Sequence, residues 1–170
     1  MAHIPLKDQL KAFAKSKGAT TSATFENGKT VEEVLKEQAR LFVKILKEEI
    51  SSLIYGRPES DWYDRSYDLL NSIDENLIID PKTNTVKIGF IPDKAWHDSW
   101  FTKKGRKGYS RKAYVPMAVI EGYRVFGNDN AVIDGVDFMQ AAVDRFEKEK
   151  ERGVTIEVEG KDELYGNWWT

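Results

Sequence analysis

TVEEVLKEQARLFVKILKEEISSLIY, residues 30–55, carries the strongest structural signal in the chain. Thr30 followed three positions later by Glu33 forms a capping box, in which each side chain accepts a hydrogen bond from the other residue's backbone N–H. Apolar residues recur at helical spacing, and charged residues occupy the opposite side. At about 1.5 Å per residue, such a helix spans about 37 Å. Gly56 favours a left-handed turn after it, and Pro58 prevents its continuation.

Two alternating segments after this helix predict an antiparallel β-hairpin. Residues Glu75–Asp80 and Thr85–Ile91 alternate apolar and polar side chains, with Leu77 and Ile79 on the same face of the first strand. The intervening residues 81–84, PKTN, have turn chemistry. We expect this pair to be the core of the sheet.

The C-terminal half predicts a second long helix and a last strand. Asp134 or Asp137 would cap a helix that runs to about Arg152, and residues 154–158 alternate as a strand. A short helix near Pro116 with an extended exit is expected before them, because proline favours a first helical position.

The two ends of the chain leave alternatives open. Leu6–Lys17 has the spacing of a short amphipathic helix, either on an N-terminal arm over residues 1–29 or packed on its own domain. The C-terminal tail, residues 160–170, contains two tryptophans that either dock on a partner or fold back over the sheet. The fold class predicted for the single domain, residues 1–170, is α+β, with the two long helices packed on a small antiparallel sheet.

Composition excludes several classes of protein. With 170 residues and no cysteine, the chain has no disulfide and no thiolate chemistry. No apolar run approaches the length of about 20 residues that crosses a bilayer. The N-terminus lacks the apolar stretch of a signal peptide, so we expect neither export nor a membrane partner.

Residues 92–115 form a long basic aromatic loop, which is the clearest candidate for a contact surface. It contains seven Lys or Arg and two Asp, so its net charge is +5, and the rest of the chain must carry −7 to reach the total of −2. A loop of this length usually has a purpose. The side chains expected to face a partner or DNA are Trp100, Lys103, Lys104, Arg106, Lys107, Tyr109, Arg111 and Lys112.

Two kinds of partner fit this composition. Base stacking and phosphate pairing would make residues 94–114 a nucleic-acid-binding module, and Gly105–Gly108 has the GxxG form of a backbone clamp. That clamp joins two helices where it is known, whereas here it lies in turn-rich sequence. Protein interfaces also favour Trp, Tyr and Arg. Because the total charge is close to neutral, we favour a protein partner and keep nucleic acid as the alternative.

Catalytic constellations are not found in the sequence. The two histidines, His3 and His97, lie far apart, and no His, Asp and Glu cluster has metal-ligand spacing. Ser66 and Ser110 have no matched histidine for a triad. We therefore expect no enzymatic activity, no cofactor and no metal.

Three short motifs give the chain a resemblance to a known family. They lie in WYDRSYDLLNSI (residues 62–73), in AVIEG (residues 118–122) and at Phe138 with Ala142. With the order of helices and strands, residues 31–149 resemble the neck, or head–tail connector, proteins of long-tailed bacteriophages. The family pattern is approximately R-T-G-x-L-x-x-S-I, then a segment with Glu and Gly, then P-F-x-x-x-A.

The resemblance assigns structural roles to the matching residues. Those residues are Arg65, Ser66, Leu69, Ser72, Ile73, Glu121, Gly122 and Phe138. It implies that the first five lead into the sheet, with Leu69 and Ile73 in the core and Arg65 in a salt bridge. The chain departs from the pattern where Tyr67 replaces the usual glycine and Asp137 the usual proline, and its basic loop is longer.

The resemblance also implies a function. Neck proteins of this kind form rings between the portal or head-completion layer and the tail, and DNA passes through the lumen. The implied role is head–tail joining or tail completion, without enzymatic activity, in a ring of six copies. The implied partners are further copies of the chain and other neck and tail proteins. The implied location is the virion neck, after assembly in the host cytoplasm.

Overall fold

A computed structural model of the chain describes residues 11–16, 28–56, 67–80, 82–98, 101–102, 112–125 and 132–164. The helices are α1 (Val31–Ile50, continued by a π-helical turn over Ser51–Tyr55), α2 (Asp68–Asn71), α3 (Pro92–Ala95), α4 (Val115–Glu121), α5 (Phe138–Glu149) and α6 (Lys161–Leu164). The strands are β1 (Lys11–Ser16), β2 (Ile79–Asp80), β3 (Thr85–Gly89), β4 (Trp96–Asp98), β5 (Phe101–Thr102), β6 (Lys112–Tyr114), β7 (Gly122–Val125), β8 (Val132–Asp134) and β9 (Val154–Glu159).

The main sheet is antiparallel, in the order β2-β3-β1-β9. Helix α1 lies against β1, β2 and β3, and α5 lies against α1 and β9. Two smaller antiparallel sheets, β4-β6 and β5-β7-β8, are built from the segment between β3 and α5. The fold is therefore α+β, as the sequence predicts.

Helix α1 begins as its sequence predicts. The backbone N–H of Glu33 donates to Thr30 Oγ1 at 3.2 Å, and the backbone N–H of Thr30 donates to Glu33 Oε2 at 2.9 Å. The bond from the Thr30 backbone N–H to the Glu33 carboxylate, followed by a second bond at 2.9 Å from the Thr30 hydroxyl, holds the pKa of Glu33 below its ordinary value. Stability gained this way is present above the unfolded pKa and is lost as the pH falls through the lower folded pKa.

The end of the long helix differs from the prediction. Gly56 has a φ of −70°, in the right-handed region, so the predicted left-handed turn is wrong. Glycine is needed for a different reason, because a Cβ at Gly56 would lie 2.5 Å from the Ser52 carbonyl oxygen. A π-helical turn over Ser51–Tyr55 brings the backbone this close.

The two long helices meet through an aromatic contact and a charged cluster. The rings of Phe42 and Phe146 are fully buried and pack edge to face with centroids 5.5 Å apart. Arg145 binds Glu149 on its own helix at 2.9 Å and Glu48 on α1 at 2.6 Å, which raises the pKa of its guanidinium above the ordinary value. The buried rings supply most of the stabilisation, because solvated ion pairs contribute little.

The first strand is where the sequence prediction fails most clearly. Lys11–Ser16 is a strand, paired with both β3 and β9, so a helix over Leu6–Lys17 is wrong for these residues. Of the two placements that the sequence leaves open, these residues follow the one in which the segment packs on its own domain, as a strand of the sheet. Strand preference depends on the neighbouring strands more than on local sequence, and these neighbours are distant in the chain.

Other predicted elements are confirmed with adjusted limits. The hairpin forms with Ile79 opposite Val86, but β2 has two residues and lies at the sheet edge, so the pair β1 and β3 occupies the centre. The helix at Pro116, its extended exit and the last strand are present. Leu164, in the predicted tail, is buried, whereas residues 165–170 with both terminal tryptophans lie outside the described residues.

We expect Thr30→Ala to lower the free energy of unfolding by about 1 kcal/mol, because the cap of α1 loses its side-chain acceptor. Thr30→Ser keeps that acceptor and is the matched control. Urea denaturation followed by circular dichroism measures both variants. Equal stability of the alanine and serine variants would show that the cap does not hold the helix.

Candidate interaction surface

The basic aromatic segment is held at both ends by paired strands. In the β5–β7 ladder the backbone of Thr102 lies opposite that of Arg124. In the β4–β6 ladder the backbone of Lys112 lies opposite that of Asp98. The prediction of one irregular loop over residues 92–115 is therefore wrong at both ends, where α3, β4, β5 and β6 form. Of the predicted contact residues, Trp100, Lys103, Lys104, Arg106, Lys107, Tyr109 and Arg111 lie outside the described residues.

The base of this segment is anchored in the core. Ala113 and Tyr114 of β6 are buried, and the Tyr114 ring lies 5.4 Å from that of Trp96 on β4. At the start of the segment, the backbone N–H of Ile91 donates to the carbonyl of Ser72 at 2.6 Å. Both strands of the base are thus fixed to the body of the domain before the cationic residues begin.

Residues 67–73, the described part of the first of the three short motifs, form a short helical turn that leads into the sheet. Leu69 and Ile73 are buried at 3% and 4% exposure, so their predicted place in the core is confirmed. Ser72 is fully buried, and its hydroxyl donates to the Leu69 carbonyl at 2.7 Å. Arg65 and Ser66 lie outside the described residues, so the predicted salt bridge of Arg65 stays a prediction.

Tyr67 occupies the motif position at which the family usually has glycine. Its φ is +56°, in the left-handed region that glycine adopts without steric cost. For a residue with a side chain this conformation costs about 1 to 2 kcal/mol. The Tyr67 ring stacks on Tyr55 with centroids 4.5 Å apart, and this contact offsets part of the cost. The backbone thus keeps the shape that the glycine of the pattern suggests.

At the second motif, residues 118–122, the backbone of Gly122 closely approaches the backbone of Gly135. Gly122 has a φ of +84°, and a Cβ there would lie 2.7 Å from the Gly135 nitrogen. A Cβ on Gly135 would lie 2.3 Å from the Ile120 carbonyl oxygen. Gly122 therefore has the structural role implied for it, and Gly135 is a partner that sequence reasoning missed. Gly122 lies opposite Asp134 in the β7–β8 ladder, which brings the next residue, Gly135, against the segment before Gly122. This pairing between distant residues is the reason that position 135 requires glycine.

The third motif begins helix α5. The carboxylate of Asp137 accepts a hydrogen bond from the backbone N–H of Gln140 at 3.0 Å, which caps the helix where the family pattern has proline. Its other oxygen binds Lys161 of α6. Phe138, the next residue, is fully buried. Of the two caps that the sequence leaves open, Asp137 is the one used.

The three short motifs are connected in the fold through neighbouring residues. Phe90 forms a bridge with Ile73, and its ring lies edge to face with Phe138 at 6.2 Å. The second motif joins the third through the backbone N–H of Val136, which donates to the Val119 carbonyl at 2.9 Å. Segments distant in sequence are therefore connected by direct contacts.

Among the described residues, no group of three or more His, Asp or Glu side chains could hold a metal ion. No helix in the described part of the chain combines the length and apolar character needed to span a bilayer. Comparisons with protein-family models, curated proteins and solved structures gave no match.

Substitutions at Tyr67 separate the backbone effect from the stacking effect. Tyr67→Gly relieves the positive φ but loses the ring contact, so we expect stability close to that of the wild type. Tyr67→Ala loses the contact and keeps the strain, so it should unfold about 1 kcal/mol more easily than the glycine variant. Urea denaturation of both variants measures the difference. An alanine variant more stable than the glycine variant would contradict the left-handed assignment.

A methyl group at Gly135 should destabilise the domain by about 1 to 3 kcal/mol, because it meets backbone atoms that cannot move aside. Gly28→Ala is the control, since a Cβ there has open space and carries only the cost of its positive φ. Thermal unfolding of both variants compares the two costs. If Gly135→Ala were the more stable variant, the close approach to Ile120 would not exist.

Proposed function

We propose that this chain is a structural protein of the neck of a long-tailed bacteriophage. In this proposal it forms a ring between the portal or head-completion layer and the tail, and it acts in head–tail joining or tail completion. The observation that carries the proposal is the connection of the first and third motifs through Phe90, which bridges Ile73 and packs against Phe138, with a left-handed backbone at Tyr67, where the pattern has glycine.

The roles of the motif residues support this assignment. Leu69, Ile73 and Phe138 fill the core, and Gly122 permits a backbone approach. These contributions are structural, as expected for a family whose shared residues maintain a subunit shape.

The proposed mechanism is assembly through unlike surfaces of identical subunits. A head-to-tail contact uses two different faces and closes into a ring when the rotation between subunits is suitable. The charge distribution supplies unlike faces, since residues 92–115 carry +5 and the rest of the chain −7. We propose a ring of six copies, about 117 kDa for chains of 19.5 kDa, with DNA passing through the lumen.

The cationic residues also support a second function, nucleic-acid binding by residues 94–114. Residues 103–112 contain six Lys or Arg and no acidic residue. Binding through phosphate contacts would weaken steeply with salt. The two functions therefore predict different defects in virion assembly when these cations are replaced.

A conditional null mutant of the gene in its phage tests the proposal. We expect DNA-filled heads and finished tails to accumulate separately, because the connecting ring is missing. Electron microscopy of the lysate measures this, and plasmid-borne wild-type chain should restore plaque formation. Joined virions in the null lysate would overturn the neck assignment.

The same complementation assay examines the basic segment. Replacing Lys103, Lys104, Arg106 and Lys107 with alanine should abolish rescue with the null phenotype, unjoined heads and tails. Lys36, on the exposed side of α1, is the matched cation, and Lys36→Ala should rescue fully. Empty heads or a failure before assembly would instead favour the nucleic-acid function.

A further inference from the structure

The C-terminal end of α1 departs from regular α-helical geometry. After Ile50 the chain continues as a π-helical turn over Ser51–Tyr55, in which each hydrogen bond spans five residues instead of four. Such turns are rare in proteins, and they occur frequently at functional sites. The α-helix is the usual continuation, so a local interaction must favour the π-helical turn here.

The π-helical turn places Tyr55 where its ring can reach Tyr67. In an α-helix, the fifth residue after Ile50 would be rotated about 140° away from the side that Ile50 faces. The wider turn rotates less for each residue, so Tyr55 comes closer to that side. Its ring packs against the core and stacks on the Tyr67 ring, with centroids 4.5 Å apart and an angle of 28° between the planes. This stack is what the π-helical geometry gains.

The sequence at this end of the helix also fits an ordinary α-helical ending. Leu53 and Ile54 are apolar and follow the buried Ile50 by three and four residues, so an α-helix would turn them toward the core. Gly56 would then be the residue after the helix, where left-handed glycine satisfies the last carbonyls, and Pro58 would follow. In the structure Gly56 has a φ of −70° instead. The sequence thus contains the signals of an ending that the structure does not use.

Little separates the two endings in free energy. Leu53 and Ile54 already pack against the core in the observed ending, so the α-helical one needs no new burial. The α-helical ending would gain the usual hydrogen bonds and the glycine cap, and it would lose the stack of Tyr55 on Tyr67. One aromatic stack contributes little compared with the stability of a whole domain. The choice between the endings is therefore set by a single contact.

We infer that the end of α1 is a two-state element. In its closed state the stack of Tyr55 on Tyr67 holds the π-helical turn, and in its open state the helix ends as an α-helix capped by left-handed Gly56. Tyr67 directly precedes α2, so the element couples the end of α1 to the turn that leads into the sheet. The Tyr67 side chain is 45% exposed, so the contact is accessible from solvent. This inference goes beyond the proposed function and does not depend on it.

NMR spectroscopy of the full-length chain distinguishes the two endings, because scalar coupling across a hydrogen bond identifies the accepting carbonyl. In the wild type, the N–H of Tyr55 should couple to the carbonyl of Ile50, five residues earlier. Tyr67→Asn removes the ring and introduces a residue that tolerates the left-handed backbone. We expect the coupling in this variant to shift to the carbonyl of Ser51, four residues earlier, and the φ of Gly56 to become positive.

Tyr67→Phe is the matched control, because it keeps the ring and should keep the coupling of Tyr55 to Ile50. Unchanged spectra of α5 verify that each variant is folded. Coupling to Ile50 in all three chains would overturn the inference, because the turn would then not depend on the stack. Loss of both couplings in the asparagine variant would also overturn it, since the end would fray instead of changing state. Coupling to Ser51 in the wild type would contradict the closed state.

Discussion

Burial of Phe90 between Ile73 and Phe138 is the constraint on which the arrangement of this domain depends. Phe90 directly follows strand β3, and Ile73 lies two residues after helix α2. Phe138 is the first residue of helix α5. The adjacent hydrogen bond from Ile91 to Ser72 fixes the chain where it leaves the sheet. Loss of this junction would separate the hairpin from α5 and leave the base of the basic segment without support.

This junction is part of one continuous buried core. Fully buried aromatic and aliphatic side chains hold α1, α5 and the sheet together, so the outer surfaces can vary without loss of the fold. The cationic segment starts from Trp96 and Tyr114, which pack against each other at the anchored base. A rigid base limits the entropy lost when such a segment binds a partner.

Local signals were predictable from the sequence, whereas contacts between distant segments were not. The cap formed by Thr30 and Glu33 lies within one turn of helix, and so does the cap at Asp137. The strand at Lys11–Ser16 depends on two partners far along the chain, which no local pattern specifies. Gly135 was missed for the same reason, because only the approach of Ile120 explains it.

The same difference between local signals and distant contacts applies to the residues around the candidate surface. Leu77 and Ile79 share a face in the predicted strand and both pack against the core, whereas the register of the strand with β3 follows from no local pattern. Core positions Leu69 and Ile73 were predicted through the motif and are confirmed. The roles of Lys103, Lys104, Arg106 and Lys107 as contact residues stay predictions, since these residues lie outside the described ranges.

The central claim is that copies of this chain form a ring between the head and the tail of a virion. Cryo-electron microscopy of intact virions, with a reconstruction centred on the neck, tests it most directly. We predict a six-fold ring whose density accommodates the α+β domain. A complete neck reconstruction in which every ring is built from other proteins would contradict the claim.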